Sequence, residues 1–234
     1  KQWRAENELV DDPRWAGFEV PPTGNANYAW IMHMISKLSE NGTAGFVLAN
    51  GSMTTNTTSE YSIRKKIIDK DLIDCMIALP GQLFYTTTIP VCLWFISKNK
   101  REDLAKGYRR RENETLFIDA SSMGTMVNRT LKELTAEDVL KISSTFHLWR
   151  SQVEYSDYRD IEGFCKSSSK EEIAEKDYVL TPGRHVGIAK VQGDGIPFET
   201  KMKDLSQTLY NQKELGDNLD SQIKQKLEAL GYGK

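Results

Sequence analysis

Residues 72–96 read LIDCMIALPGQLFYTTTIPVCLWFI. Two apolar runs, 72–79 and 91–96, flank a connection that opens on Pro80-Gly81. Each run is short, apolar and weakly alternating, as expected of a strand buried on both faces of a sheet. The connection between them is too short for a crossover helix. The pair therefore reads as an antiparallel hairpin at one side of the sheet. Working outward, residues 44–49 (AGFVLA) form another apolar run, predicted to be a strand buried on both faces of a parallel sheet. Residues 60–69 predict a helix, and 115–119 a fourth strand. Asn25 or Asn27 can cap a helix running to about Ser39, with Trp30, Met34, Ile35 and Leu38 on its buried face. Residues 25–119 thus read helix, strand, helix, strand, strand, charged loop, strand, which is an α/β pattern.

The polar stretch from Asn50 to Thr58 follows a predicted strand and precedes a helix. Loops at the carboxyl ends of strands are where α/β sheets bind ligands. Further along, Thr135-x-x-Asp138 is a capping box with Asp in place of Glu and opens a helix to about Trp149. Residues 151–197 are turn-rich, with a short helix near 169–176. From Phe198 to Leu230 a polar helical pattern carries one apolar stripe through Met202, Leu205, Leu209, Leu215, Leu219, Ile223, Leu227 and Leu230, with Gly216 as a weak point. The organisation expected is 1–134 a partial α/β domain, 135–197 a helical and irregular extension, and 198–234 a long helix.

The chain has 234 residues, 31 Lys plus Arg against 33 Asp plus Glu, and a net charge of −2. That balance argues against a nucleic-acid binder held by a broad basic surface, though not against a local patch. No apolar run is long enough to span a bilayer, so no membrane partner is expected. Cys75, Cys92 and Cys165 form no CxxC pair and read as reduced, buried thiols of a cytoplasmic protein. The polar N-terminus is no signal peptide. The missing initiator Met suggests a processed chain or a piece of a longer one.

Several chemistries lack their residues. There is no GxGxxG after a strand, no GxxxxGK[ST] loop and no GxSxG elbow. His33, His147 and His185 lack metal-ligand spacing, so no metal is expected. His33 and His147 read as helix residues with local hydrogen bonds, and His185, beside Arg184, is a candidate anion contact. Asp11-Asp12 reads as a solvated turn, and Val20-Pro21-Pro22-Thr23 as a plain turn without a polar first residue or an aromatic last one. Two readings stand for the 79–90 connection. Phe84 and Tyr85, beside Thr86, Thr87 and Thr88, can form an aromatic platform with hydroxyls for a flat ligand such as a nucleobase. Alternatively Phe84 covers the end of the sheet and the threonines are β-formers. The clusters Arg64-Lys65-Lys66 and Arg109-Arg110-Arg111 are either phosphate contacts or solvated surface.

The segments DDPRW, PPTGNANYAWIMHMISKL, GFVLANGSM, IRKKIID, LPGQLFYTTTIPVCLWF, LFIDA, FHLWR, GFCK, VLTPGRHVG and LGYG, in this order from end to end, resemble the modification (methyltransferase) subunit of type I restriction–modification systems. The resemblance implies an S-adenosylmethionine-dependent enzyme that methylates the exocyclic amino group of adenine in DNA. It implies a Rossmann-like methyltransferase sheet, of which this chain holds the later half, followed by a helical carboxyl-terminal region. Its partners would be DNA, a specificity subunit, a second modification subunit and a restriction subunit. The family's Gly-rich cofactor loop and its Asn/Asp-Pro-Pro-Phe tetrapeptide would lie upstream, so this chain alone is expected to be inactive and to hold no catalytic residue. LFYTTTIP matches the motif that sets an aromatic against the flipped base, Phe84 first and Tyr85 second, with Thr86, Thr87 and Thr88 lining the pocket or meeting phosphate. Arg64, Lys65 and Lys66 are the candidate phosphate contacts. The terminal helix matches the region that docks on the specificity subunit, through Met202, Leu205, Leu209, Leu219, Ile223 and Leu227. The alternatives are a non-catalytic assembly module acting through that helix, or a different base-modifying enzyme sharing the late motifs.

Overall fold

The computed structural model describes residues 2–188 and 197–232. The chain divides into two compact units, Lys1–Lys190 and Val191–Lys234. Residues 189–196, the end of the stretch read as turn-rich, lie outside the described residues.

The first unit is built on a five-stranded sheet. Its strands are β1 (Thr43–Ala49), β2 (Ile73–Ala78), β3 (Val91–Ser97), β4 (Glu114–Asp119) and, after the short β5 (Thr125–Met126) and β6 (Lys132–Glu133), β7 (Cys165–Ser169). The order is β1-β3-β2-β4-β7. β3 is antiparallel to both β1 and β2, β2 is parallel to β4, and β7 is antiparallel to β4. β1, β2 and β4 therefore point the same way and their carboxyl ends share one edge of the sheet. The antiparallel β2–β3 pair is the expected hairpin, but it lies inside the sheet and not at one side of it, with β1 beyond β3 and β4 beyond β2.

Alternation along the strands divides the core into two faces. Met76, Cys92, Trp94, Ile96 and Phe117 face helices α1 (Asn27–Lys37) and α2 (Thr58–Asp69). Cys75, Ile77, Leu116 and Ile118 face Trp149 of helix α3 (Ala136–Arg150). The Thr135 hydroxyl accepts from the Asp138 amide at 3.1 Å and the Asp138 carboxylate accepts from the Thr135 amide at 2.9 Å, which is the predicted capping box. A second box starts α4 (Lys170–Glu175), where Ser169 and Glu172 exchange the same bonds. All three cysteines are buried and free. Among the described residues no helix is long and apolar enough to cross a membrane.

Five further expectations change. β1 is not buried on both faces: among the described residues it pairs only with β3 and stands at the edge of the sheet, and Val47 is 47% exposed. The buried stripe of α1 is Tyr28, Ile31, Met32 and Ile35, at i, i+3, i+4 and i+7, whereas Trp30 lies outside, edge-on to His33. β7, with the sequence CKSSS, was not expected as a strand, because its burial comes from pairing with β4 and not from apolar side chains. The boundary at 134/135 does not separate compact units, since α3 covers one face of the sheet and β7 completes it. His185 is no anion contact: it is 3% exposed, stacked on Phe117 at 3.7 Å, and its Nε2 donates to the Val179 carbonyl at 2.8 Å.

That burial sets a pH response. It pushes His185 down to about 4, only partly offset by the Val179 carbonyl and reinforced by Lys176 and Lys166. The unfolded chain titrates near 6.5, so it takes up the proton first as the pH falls. Stability from this group is complete above about 6.5 and declines by about 3 kcal/mol as the pH drops toward 4. Urea midpoints measured across that window should fall for the native chain, and His185→Gln should remove this component of the slope.

The second unit holds α5 (Phe198–Ala229), the predicted terminal helix, about 48 Å long at 1.5 Å per residue. No residue of α5 is buried. Within this unit its apolar side chains are uncovered, Met202 45% and Leu209 64% exposed. Gly216 sits mid-helix with open space around its Cα.

Candidate functional site

Because β1, β2 and β4 run the same way, the segments that follow them emerge at one edge of the sheet. These are 50–57, 79–90 and 120–131. This is the edge where α/β sheets place their ligands.

The 79–90 connection is closed by its own backbone. The Leu79 amide donates to the Val91 carbonyl at 2.9 Å and the Gln82 amide to the Thr88 carbonyl at 3.3 Å. Gly81 is required there, since a Cβ would stand 2.6 Å from the Thr88 oxygen. Gln82 follows in the left-handed region at φ 64°. Phe84 and Thr87 then form a one-residue antiparallel bridge, so 84–87 is a tight turn. Within it Phe84 is 42% and Tyr85 91% exposed. Leu83, not Phe84, packs against the core face beneath. Thr87 is half-buried, and its hydroxyl accepts from the Ile89 amide at 3.2 Å, while Thr86 and Thr88 are exposed. The result is an aromatic side chain held out of the core on a backbone that cannot spread.

The 50–57 segment, expected to bind a ligand, borders a cavity of about 540 Å³ with Asn25, Asn27, Thr54, Thr55 and Glu60 in its lining. Glu60 was not anticipated. It is 3% exposed, and its Oε2 accepts from the Thr55 hydroxyl at 2.5 Å. The available signal was its position one turn before Arg64, on the face that α2 buries.

The basic clusters are largely spent on the fold. Arg64 is fully buried, donating from Nε to the Tyr178 carbonyl at 2.8 Å and from Nη1 to the Thr55 carbonyl at 2.6 Å. It pins the 50–57 segment and, being buried, does not reach a phosphate as the sequence led one to expect. Lys65 is exposed over the Tyr178 ring, its Nζ 5.1 Å from the centroid, and Lys66 is half-buried. Both lie on the flank of α2, not on the carboxyl-edge loops. Arg109 pairs with Glu114 at 2.6 Å and Arg110 with Glu112 at 2.6 Å. Arg111 is buried against Asp74 at 3.1 Å.

The two remaining turns have structural duties. Trp3 Nε1 and Arg4 Nη2 donate to the Pro22 and Pro21 carbonyls, each at 2.7 Å, so Val20–Thr23 is a clamped turn. Asp12 accepts from the Arg14 amide and guanidinium, and that bonding holds its carboxyl down at about 2. Such a group is no proton donor at neutral pH. Among the described residues no group of three His, Cys, Asp or Glu side chains is placed to hold a metal ion.

The residues of this chain do not by themselves fit S-adenosylmethionine. None of the three carboxyl-edge segments is a glycine-rich strand-to-helix turn. The one carboxylate ending a strand there, Asp119, accepts from the Ser121 amide at 3.0 Å and from its hydroxyl at 2.5 Å.

Residues 1–194 match the family described as N-6 DNA Methylase. The chain is 48% identical over 232 residues to the type I restriction enzyme HindI methylase subunit of Haemophilus influenzae, a match covering 99% of this chain and 49% of that protein. It is 41% identical over 235 residues to the MjaIX methylase subunit of Methanocaldococcus jannaschii, covering 99% and 40%. It thus spans about half the length of these relatives, or less. Its fold is similar to the type I restriction-modification system methyltransferase subunit of Streptococcus thermophilus, with a TM-score of 0.66 and 28% identity over 80% of this chain and 36% of that one. The EcoKI M protein shares the fold at a TM-score of 0.55 and 17% identity, over 86% and 45% of the two chains.

Proposed function

The chain belongs to the N-6 DNA methylase family, among the methylase subunits of type I restriction enzymes, and from that premise we propose that it supplies the base-holding and assembly half of an adenine-specific DNA methyltransferase. The reaction belongs to a protein about twice its length. There S-adenosylmethionine supplies the methyl group, bound by residues outside this chain. What these residues contribute is position. Phe84 stacks on the adenine turned out of the duplex, and Tyr85 stands next to it. Thr86 and Thr88 present hydroxyls at the rim. A ring held this way fixes the plane of the base, so that its exocyclic amino group meets the methyl donor with little orientational entropy left to lose. The observation that carries the reading is Phe84, held half out of the core on a bridged turn at the carboxyl end of β2.

The partners that follow are DNA, a specificity subunit, a second modification subunit and a restriction subunit. Met202, Leu205, Leu209, Leu219, Ile223 and Leu227 are the docking residues for the specificity subunit. Their support is the uncovered stripe of α5 within its own unit, since an apolar face of that length is stabilised by a partner helix. The same stripe favours a second reading, in which the isolated chain serves only as an assembly module. Lys65 and Lys66 remain candidate phosphate contacts.

One experiment tests both parts. This chain alone should transfer no methyl group to DNA, while the full-length subunit joined to its specificity subunit should. Capture of the specificity subunit by the full-length protein should be lost when residues 198–234 are removed. Robust methylation by this chain alone would refute the division of labour, and capture without the tail would move the docking site elsewhere.

A further inference from the structure

Beside the Phe84 turn stands a feature that the base-holding role does not use. β5 and β6 form a small hairpin after β4, with Thr125 opposite Glu133 and Met126 opposite Lys132. β2 and β4 are neighbouring parallel strands, so this hairpin and the 79–90 connection lie side by side. They are bonded directly: the Lys132 amide donates to the Gln82 carbonyl at 2.8 Å, two residues before Phe84.

The tip of the hairpin is ordered and its outward side chains are unused. The Asn128 carboxamide oxygen accepts from the Thr130 amide at 2.9 Å, the Thr130 hydroxyl at 3.0 Å and the Leu131 amide at 2.9 Å. Leu131 is buried and anchors the return strand. Met126 and Val127, by contrast, are 48% and 55% exposed. Arg129 is exposed at the tip and makes no hydrogen bond or ion pair with any described residue. Glu133, the nearest acid on the hairpin, sits at its base, opposite Thr125.

We propose that this hairpin is a duplex-DNA contact beside the extruded base, with Arg129 on a backbone phosphate and Met126 and Val127 against the groove. The inference rests on the base-holding role of Phe84. An unpaired guanidinium on a preorganised turn binds phosphate at little cost in ordering. Two apolar side chains next to it match the sugar and base edges left exposed when one base leaves the stack, as wedge residues do in other DNA-bending proteins. The Asn128 bonds serve to hold the tip rigid, so that the cation and the apolar pair arrive together.

The test uses the full-length methylase with its partner subunits and two duplexes. One carries the recognition site with 2-aminopurine at the target position, and the other lacks the site. Arg129→Ala should weaken binding to both by about five- to tenfold and reduce the slope of log affinity against log salt by about one. Arg129→Lys should restore the slope. Val127→Glu should weaken binding to both duplexes by setting a carboxylate against the phosphates. An unchanged salt slope in Arg129→Ala overturns the proposal, as does a loss of subunit capture with DNA binding intact, which would make the hairpin a protein contact. Phe84→Ala is read separately. It should lower the 2-aminopurine emission and leave the salt slope alone, so failure of the base-holding role and failure of the hairpin contact register on different axes.

Discussion

Phe84→Ala should lower kcat/KM of the full-length methylase roughly ten- to hundredfold, the worth of one base–aromatic stack. The ring is 42% exposed and lies outside the core clusters, so its removal leaves no cavity and stability should shift by less than about 1 kcal/mol. Phe84→Tyr and Phe84→Trp keep a π-face and should retain most activity. Tyr85→Ala should cost less, since Tyr85 is 91% exposed at the corner of the turn and nothing holds its ring. Steady-state methylation of a duplex bearing the recognition site, with urea unfolding alongside, separates the cases. Full activity in Phe84→Ala would return this residue to the simpler role of sheet-end cover. Greater loss in Tyr85→Ala would move the stack by one residue.

Arg111→Ala should cost about 3–5 kcal/mol of folding stability, the penalty for stranding one member of a buried ion pair. Arg111 is 1% and its partner Asp74 0% exposed in their side chains, with Nε 3.1 Å from the carboxylate. Its Nη1 also donates to the Arg109 carbonyl at 2.9 Å. Arg150 stands 3.8 Å from the other Asp74 oxygen, too far to replace the lost bond. Against a typical total of about 5–15 kcal/mol, that loss brings the unit close to unfolding. Replacing both partners by apolar residues, Asp74→Leu with Arg111→Met, should recover part of it, because the stranded Asp74 carboxylate is gone while Arg150 loses the carboxylate 3.8 Å away. Arg110→Ala, at an exposed surface pair, should change stability by less than about 1 kcal/mol. Urea unfolding followed by tryptophan fluorescence reads all three. A loss below about 1 kcal/mol in Arg111→Ala would mean that Arg150 moves in to pair Asp74.

The two arginines that prove internal show where legibility stopped. Arg64 and Arg111 each sit in a run of three basic residues, a pattern that reads as surface. Arg64 is buried because Tyr178, 114 residues away, brings its carbonyl to Nε. Arg111 is buried because Asp74 lies 37 residues back on a central strand. The burial of Glu60 is illegible for the same reason: it depends on Thr55 folding over it. The hairpin at 125–133 leaves no mark in the sequence, because paired strands of two residues carry no periodicity.

Local signals are legible in the sequence. The capping box at Thr135, the β2–β3 hairpin, helix α2 and the turn character of Val20–Thr23 all follow from residues within a few positions of one another. So does the placing of Phe84 on a connection between strands, and the ordered run of segments that marks the family. What only the tertiary structure decided is which side of each element meets protein and which meets water. Period-two and period-3.6 patterns define a face, but the free energy of burial depends on the element that arrives to cover it. Residues 44–49 look like an interior strand and stand at an edge, since no described strand pairs with β1 beyond β3. CKSSS looks like a loop and is a strand, since β4 offers it a ladder. His185 looks like an anion contact and is a core residue, since Phe117 and Val179 enclose it. In each case short-range chemistry determined the element, and long-range contact determined its environment.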